Sequence, residues 1–257
     1  MRPRQFAWRM CYEFLASRVS SPDWAFMNYG FVPLEPIPAL QLEVPDEPDR
    51  LCIQLYQHTV GPIGVHEKDV LEVGSGRGGG ASYVSRYLRP LSVTGLDFSQ
   101  QAVDLCNRCR KAPGLAFTRG DAQSMPFLAS SFDAVINIES SHCYPSMERF
   151  LGEVHRVLRP GGSFFFADLR RCDALDALHS QFEVSSLDLE REDDITANVL
   201  TALRVDNGRK LQLIQDLIPW LLRRPFRAFA GIEGTTNYVG FDNGSLRYVS
   251  AHLTKRK

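Results

Sequence analysis

The 257-residue sequence predicts an α/β fold in which a mostly parallel sheet is flanked by helices. Between residues 69 and 168, short apolar runs alternate with helical stretches, which is the pattern of repeated βαβ units. A glycine-rich loop lies directly after the first apolar run and directly before a helical stretch. The hydrophobic content of 44% and the charged content of 23% are those of an ordinary globular protein.

Five apolar runs predict five strands, and three amphipathic stretches predict the helices between them. The strands are DVLEV (69–73), LSVTGLD (91–97), LAFTRG (115–120), SFDAVINIE (131–139) and GSFFFADL (162–169). The helices are GGGASYVSRYLR, SQQAVDLCNRCRKA and SMERFLGEVHRVLR. Pro160-Gly161-Gly162 is expected to end the third helix and to turn the chain into the fifth strand.

The regions on either side of this pattern are assigned to the same single domain, 1–257. Residues 1–60 are rich in aromatic residues and then in prolines, which predicts a helical and extended N-terminal lid that begins with an amphipathic helix. The core is then 61–169, followed by an inserted helical cap at 170–225 and by C-terminal strands at 226–257.

Two stretches of the cap region carry unusual charge. The acidic run in DLEREDDITANVLTALR (188–204) is expected to be the solvated first turn of a helix. The run PWLLRRPFRAF (219–229) is both basic and apolar. We expect it to be a cap helix, and contact with a membrane surface or a lipid-like substrate is the alternative.

Composition excludes several classes of protein. The net charge of −1 provides no general attraction to nucleic acid, and the sequence has no run of 18 apolar residues that would cross a membrane. The six cysteines are scattered, as expected of reduced thiols in the cytoplasm. Cys106 and Cys109 form a C-x-x-C within a predicted helix, but no second ligand pair follows at zinc spacing, so no metal is expected.

The glycine loop VLEVGSGRGGGAS is the most informative stretch. Glycines at this place let a ligand lie against bare backbone at a helix N-terminus. Gly74, Gly76 and Gly79 also satisfy G-x-G-x-x-G, so an NAD site is one alternative. Asp97 ends the second strand, where a carboxylate can accept both ribose hydroxyls of either adenosine cofactor. The carboxylate of Glu72 would repel a pyrophosphate, whereas it would attract a cationic amino group.

Two further groups lie at the ends of later strands. Asp121 closes the third strand, where it could receive an adenine amino group or could simply be a turn aspartate. Asn137, Ile138 and Glu139 end the fourth strand, at the carboxyl edge where ligands of doubly wound sheets bind.

Five runs, taken in order, resemble the motifs of class I S-adenosylmethionine (SAM)-dependent methyltransferases. They are LEVGSGRGG, TGLDFS, GDAQSMPF, SFDAVINIESSHCY and VLRPGG. Within that class the chain looks most similar to the phthiotriol, glycolipid and natural-product O-methyltransferases, through runs such as ESSHCYPSMERFL and RVLRPGGSFFFADLR. The resemblance implies a Rossmann-like, seven-stranded sheet, with SAM as cofactor and S-adenosyl-L-homocysteine as product. It implies these cofactor-binding residues: Glu72, Gly74, Ser75, Gly76, Gly78, Asp97, Phe98, Asp121, Ala122, Asn137 and Ile138.

His142 and Asp168 are the candidate catalytic residues. His142 follows the fourth strand by three residues, and histidine titrates near neutrality, as a base for a hydroxyl acceptor requires. Asp168 ends the fifth strand at the same edge and could orient the imidazole. Similar sugar O-methyltransferases of natural-product pathways use a histidine and an aspartate at matching places.

The expected reaction is methyl transfer to a hydroxyl of a small hydrophobic, lipid, polyketide or glycosylated acceptor bound under the cap. Three alternatives remain: N-methylation of an amine, a non-methylation reaction such as cyclisation on the same fold, and NAD-dependent oxidoreduction. We expect a cytoplasmic enzyme without nucleic-acid or integral-membrane partners, with a homodimer as one possible oligomeric state.

Overall fold

A seven-stranded sheet runs through the part of the protein that the computed structural model describes, which is residues 24–257. Its strand order is β3-β2-β1-β4-β5-β7-β6. The strands are β1 (Asp69–Val73), β2 (Ser92–Asp97), β3 (Leu115–Arg119), β4 (Phe132–Ile138), β5 (Leu158–Arg171), β6 (Leu187–Asp194) and β7 (Leu246–Lys255). Strands β1 to β5 pair in parallel, and β7 is antiparallel to both of its neighbours. The mostly parallel seven-stranded sheet is therefore confirmed.

Helices cover both faces of this sheet. Among the described residues they are α1 (Arg50–Val60), α2 (Gly79–Tyr87), α3 (Gln100–Cys109), α4 (Met147–Val157), α5 (Leu175–Val184), α6 (Thr196–Leu217), α7 (Arg223–Phe229) and α8 (Thr236–Asp242). The amphipathic helix predicted at the start of the N-terminal lid lies outside the described residues.

Alternation along the strands divides the core into two halves. In β1, Val70 belongs to the hydrophobic cluster on one face of the sheet, and Leu71 and Val73 belong to the cluster on the other. Helix α4 buries Phe150, Leu151, Val154 and Val157, which recur at helical spacing. Each such side chain contributes about 1.5–3 kcal/mol when it is fully removed from water. This packing fixes the ends of β4 and β5, where the candidate catalytic residues lie.

The five predicted strands are present, but β5 begins four residues earlier than predicted. Helix α4 ends at Val157, and Leu158 already pairs with Phe132 of β4. Leu158 is fully buried, so the chain gains a core contact by entering the sheet before the Pro-Gly-Gly segment. An irregularity of the β4–β5 pairing then accommodates those three residues.

The acidic run was expected to start a helix, and this expectation is wrong. Residues Leu187–Asp194 form the edge strand β6, and helix α6 begins only at Thr196. An edge strand pairs on one side only, here with β7, and most residues of β6 are exposed. Charged side chains are well tolerated there, so a polar sequence does not exclude a strand.

The C-terminal strands expected at 226–257 are a single strand, which a helix precedes. The end of α7 and the whole of α8 lie in this range, and only Leu246–Lys255 form a strand, as the alternation in the tail predicted. Tyr238 and Phe241 are both buried and lie three residues apart, so they share one face of α8. Gly244, with φ +78°, follows this helix and turns the chain into β7.

The segment 24–31 has no regular secondary structure and lies across the glycine loop. Arg77, in that loop, donates a hydrogen bond from Nε to the carbonyl of Trp24, and the backbone N–H of Phe31 donates to Leu51 O at 2.9 Å. Most of its side chains are buried, including Trp24, Phe26 and Tyr29. The protein thus places aromatic side chains beside the carboxyl edge of the sheet.

Candidate active site

Two groups of polar side chains lie at the carboxyl edge of the sheet. One group follows β1 and β2 and includes the glycine loop, and the other follows β4 and β5. In parallel sheets this edge is where ligands bind, because the loops between strands and helices open there. The groups correspond to the predicted cofactor and acceptor sides of the site.

The glycine loop has the conformation that its sequence predicts. Gly74 has φ +77°, and a Cβ there would lie 2.3 Å from Ser140 Oγ, so a side chain is excluded by conformation and by space. Its N–H and that of Ser75 donate to Leu96 O at 2.8 and 3.0 Å, which ties the loop to β2. The loop then leads through Gly78, with φ +76°, into α2. Bare backbone is therefore presented to the cleft at a helix N-terminus.

Asp97 fixes the glycine loop from the neighbouring strand. Its carboxylate accepts hydrogen bonds from the N–H of Gly76 at 2.8 Å and from that of Ser99 at 2.9 Å. The residue is only 7% exposed. Because both oxygens are held by backbone, the carboxylate has one fixed orientation at the end of β2, as ribose binding would require.

Glu72 is buried in an apolar surrounding. Its Oε1 accepts a hydrogen bond from the Tyr56 hydroxyl at 2.5 Å, whereas Oε2 has no partner among the described residues. Burial raises the pKa of Glu72 to about 8, although the Tyr56 hydrogen bond acts in the opposite direction. The carboxyl group is therefore mostly neutral at pH 7 unless a cation binds beside it.

Three buried polar atoms without partners in the described structure belong to predicted cofactor residues. They are Glu72 Oε2, Ser75 Oγ and Asn137 Oδ1. The amide of Asn137 donates to Val73 O at 2.9 Å and to Ser140 Oγ at 2.7 Å, so its nitrogen is satisfied and only its oxygen is left. Buried polar groups normally have partners, and three such acceptors fit a ligand that carries an ammonium group and hydroxyls. The residues present thus fit SAM.

The remaining predicted cofactor residues are less closely connected. Phe98 is 43% exposed, with the Arg119 guanidinium 5.9 Å from its ring centre. Asp121 is exposed, and its Oδ1 accepts the N–H of Gln123 at 2.8 Å, as a turn aspartate does. Ala122 and Ile138 are buried and contribute apolar surface.

The predicted catalytic pair is in direct contact. His142 lies in a 3₁₀ turn directly after β4, and its Nδ1 is 2.7 Å from Asp168 Oδ1. Asp168 is fully buried and also accepts hydrogen bonds from the Ser141 hydroxyl at 2.5 Å and from the N–H of His142 at 2.8 Å. Nδ1–H donates to this carboxylate, so Nε2 is the ring nitrogen that remains available to another partner.

Opposite charges shift the pKa values of this pair in opposite directions. Burial lowers the pKa of His142, but the carboxylate of Asp168 outweighs it and leaves the pKa well above its ordinary value. Burial raises the pKa of Asp168, and His142 and Arg170 outweigh that effect, so the carboxyl stays ionised. The His142 side chain is 34% exposed, so we expect the upward shift to be moderated by solvent.

Sequence analysis placed Glu139 at the ligand-binding edge of the sheet but missed its role as a second carboxylate on the acceptor side. Glu139 has φ +51°, an uncommon conformation for this residue type. Its Oε2 accepts the N–H of Tyr29 at 2.8 Å and the hydroxyl of Tyr248 at 2.9 Å. Burial raises its pKa to about 7. The partners lie 110 and 109 residues away, so no local pattern could have identified them.

Arg170 was also missed. Its guanidinium lies 2.9 Å from Asp168 Oδ2 and donates to Ser141 Oγ at 2.6 Å. The side chain thus adds a positive charge behind the carboxylate that holds His142. Basic residues near a strand end are common in any sequence, so nothing in the pattern singled out this one.

Other kinds of site receive no support among residues 24–257. No cluster of three or more potential metal-ligating side chains occurs there. Cys106 is buried, Cys109 is exposed, and both are free thiols. Within the same residues, no helix has both the length and the apolar character needed to cross a membrane.

Comparison with known proteins gives consistent results. Residues 71–166 match the sequence family described as "Methyltransferase domain". The phthiotriol/phenolphthiotriol dimycocerosates methyltransferase of Mycobacterium leprae is 40% identical over 241 residues, which cover 94% of this chain and 89% of that protein. The fatty-acid O-methyltransferase of Mycolicibacterium smegmatis is 46% identical over 166 residues, covering 65% of this chain and 60% of that protein.

The fold has matches among solved structures. The crystal structure of the [4+2]-cyclase SpnF superimposes with a TM-score of 0.69, at 17% identity, over 98% of this chain and 96% of that one. At this level of identity, the likeness concerns the fold alone.

Proposed function

This chain belongs to the class I SAM-dependent methyltransferases, and we propose that it methylates a hydroxyl group of a lipid-like acceptor. SAM is the cofactor of this family, and S-adenosyl-L-homocysteine is its product. When bound, SAM supplies a methyl group that its sulfonium already activates. The protein's tasks are then to hold the cofactor, align the acceptor and take the acceptor's proton.

The observation that carries this proposal is the hydrogen bond of 2.7 Å between His142 Nδ1 and Asp168 Oδ1. With Nδ1 fixed, Nε2 of the neutral imidazole can accept the proton of an acceptor hydroxyl, and because the pKa of His142 is raised, we expect activity to increase with pH. The ionised Asp168 then stabilises the imidazolium. A base of this kind contributes about 10²–10⁴-fold to the rate, and alignment of the reactants contributes more.

We assign the cofactor to the predicted residues around the glycine loop. The orphaned Oε2 of Glu72 would receive the ammonium group of SAM, and Asp97 would receive the ribose hydroxyls. The exposed face of Phe98 offers a stacking surface for adenine. We include Gly74, Ser75, Gly76, Gly78, Ala122, Asn137 and Ile138 in this assignment, and Asp121 as its outermost member.

A lipid-like acceptor is supported by the relatives and by the surroundings of the catalytic pair. The relatives named above are described as acting on phthiotriol lipids and on a fatty acid. A small cavity of about 20 Å³ between the segment 24–31 and helix α6 is lined by Trp24, Met27 and Phe229, and also by charged side chains such as Asp49 and Arg209. We propose that an acceptor chain enters there, under the cap, by displacing the side chains that now fill the space.

A direct test is to incubate the purified protein with methyl-labelled SAM and a panel of acceptors. The panel contains a long-chain secondary alcohol, a fatty acid and a long-chain amine, and mass spectrometry identifies the product. We expect the methyl ether of the alcohol. Methylation of the amine alone would replace the proposal by N-methylation, and no labelled product from any acceptor would contradict it.

A second candidate is methyl-ester formation on a fatty acid, which the 46% identity to a fatty-acid O-methyltransferase favours. A carboxylate has no proton to lose at neutral pH, so this reaction needs no base. The two candidates therefore differ in their dependence on His142, and a His142→Ala variant separates them.

A further inference from the structure

The cap carries a surface patch that neither the cofactor side nor the acceptor side of the site uses. It consists of exposed side chains of the 3₁₀ turn Trp220–Leu222 and of the following helix α7 (Arg223–Phe229), and Phe229 at the end of that helix is not part of it. Within the described part of the chain, Trp220 is 75% exposed and Leu221 is 69% exposed. Two large apolar side chains in succession, both open to water, have a solvation cost and indicate a contact surface.

The core of the cap does not need these two side chains. Phe226 on the same helix is fully buried and packs against Phe229, with ring centres 6.3 Å apart. Arg223 donates to Ile218 O at 3.0 Å and to Gln215 O at 2.8 Å, which holds the turn against the end of α6. The turn therefore projects Trp220 and Leu221 outward from a fixed base.

The sequence around the pair is mainly basic. Residues 217–232 contain three arginines and no acid, and the exposed acids Asp216 and Glu233 lie immediately outside this range. Arg224 and Arg227 are exposed, and neither takes part in an ion pair within residues 24–257. Tryptophan and leucine surrounded by arginines are the residues that interfacial helices present to anionic phospholipids.

We propose that the patch of Trp220, Leu221, Arg224 and Arg227 docks the protein on an anionic phospholipid surface. The apolar pair would enter the headgroup region, and the arginines would contact lipid phosphates. Attachment of this kind is peripheral and reversible.

Helix α7, which carries the two arginines of the patch, ends at the cavity that we assign to the acceptor. Phe229 and Ala230, at the end of α7, line that cavity together with Trp24 and Tyr29. Tyr29 in turn contacts Glu139 beside the catalytic pair. Docking through α7 would place the cavity next to the bilayer that holds a long-chain acceptor. This benefit rests on the proposed function, whereas the docking itself does not.

Flotation with vesicles tests the docking. One set contains phosphatidylcholine alone, and the other contains equal amounts of phosphatidylcholine and phosphatidylglycerol. We expect the full chain to float only with the anionic set, and high salt to release it. Arg224→Gln/Arg227→Gln should weaken partitioning about 25-fold, which is about fivefold for each arginine. Trp220→Ser/Leu221→Ser should weaken it at least roughly tenfold, and Trp220→Phe should retain it.

Matched controls are Leu128→Ser, which removes an exposed leucine elsewhere, and Arg108→Gln, which removes an exposed arginine on α3. Both should partition as the unmodified chain does. Equal partitioning of all variants, or no flotation with anionic vesicles, would overturn the docking proposal. A dimer in light scattering that Trp220→Ser/Leu221→Ser abolishes, without vesicle binding, would overturn it in favour of a second copy.

Assays of methyl transfer distinguish a failure of the docking proposal from a failure of the proposed function. With an acceptor dissolved in detergent, the docking variants should match the unmodified chain. With the same acceptor in anionic vesicles, their rates should fall in parallel with partitioning. Vesicle binding without methylation of any acceptor would contradict the proposed function and leave the docking intact.

Discussion

The cofactor side and the acceptor side of the site are both built around a buried carboxylate, but the two carboxylates have opposite properties. Glu72 has an orphaned oxygen, and burial raises its pKa to about 8. Asp168 contacts Ser141, His142 and Arg170, and its pKa is lowered. The difference indicates that the cofactor side is incomplete without its ligand, whereas the acceptor side is organised in advance.

The largest expected effect comes from removing the base on the organised side. His142→Ala should lower kcat by about 10²–10⁴-fold with a hydroxyl acceptor, because it removes the proposed proton acceptor. The affinity for SAM, measured by calorimetry, should change little. His155→Ala, on helix α4, is the matched control and should retain activity. A fully active His142→Ala variant would exclude the base role and favour ester formation or N-methylation.

On the incomplete side, Glu72→Gln should weaken SAM binding by roughly 10–100-fold, since hydrogen bonds to charged groups contribute about 1.5–3 kcal/mol. Turnover at saturating SAM should fall much less. Calorimetric titration and saturation kinetics give the two values. Glu183→Gln, an exposed glutamate on α5, should bind SAM normally. Unchanged affinity in Glu72→Gln would separate Glu72 from the ammonium group.

The raised pKa of Glu72 makes SAM binding depend on pH. Its carboxyl is mostly protonated below pH 8, and a bound ammonium group favours the ionised form. Binding at pH 7 should therefore release up to about one proton, and affinity should rise as the pH approaches 8. Calorimetry in buffers of different ionisation enthalpy measures the released protons. Glu72→Gln should lose this signal, and its persistence would assign the proton to another group.

The same raised pKa has a consequence for folding. Relative to an unfolded value of 4.5, the neutral carboxyl is favoured in the folded state. Its contribution to stability is thus complete below pH 4.5 and is lost as the pH rises through about 8. Saturating SAM should reduce that loss, because it stabilises the ionised form in the folded protein.

The smallest predicted effect concerns Arg170, which we infer to be a positioning residue. Arg170→Gln removes a positive charge 2.9 Å from Asp168, so the carboxylate should raise the pKa of His142 further. The acidic limb of kcat/KM should then move upward by on the order of one pH unit. Arg171→Gln, whose partner is the exposed Asp173, is the control. If the pKa of the acidic limb does not change, Arg170 has only a structural role.

Sequence alone could predict the parts of the molecule that depend on local pattern. The apolar runs and glycines between residues 69 and 139 located β1 to β4 to within one or two residues, because most residues of β1, β2 and β4 are buried, whereas the edge strand β3 buries only Phe117. The same pattern placed His142 and Asp168 at adjacent strand ends, where the structure finds them in contact. The roles of both residues in catalysis stay a prediction.

The parts that sequence could not predict depend on distant contacts. Most side chains of strand β6 are exposed and acidic, so its sequence resembles the first turn of a helix. The hydrogen bonds of Glu139 depend on how the segment 24–31 and β7 fold back over the sheet. No local period encodes such a contact.

The composition of β6 also bears on how copies of the protein can meet. Its open edge has unpaired backbone groups that could extend the sheet into another molecule and seed aggregates. Five of its eight residues are acidic, and Arg191 is the only base among them. Two such edges repel each other, so the acids that obscure this strand in the sequence protect the folded protein from edge-to-edge polymerisation.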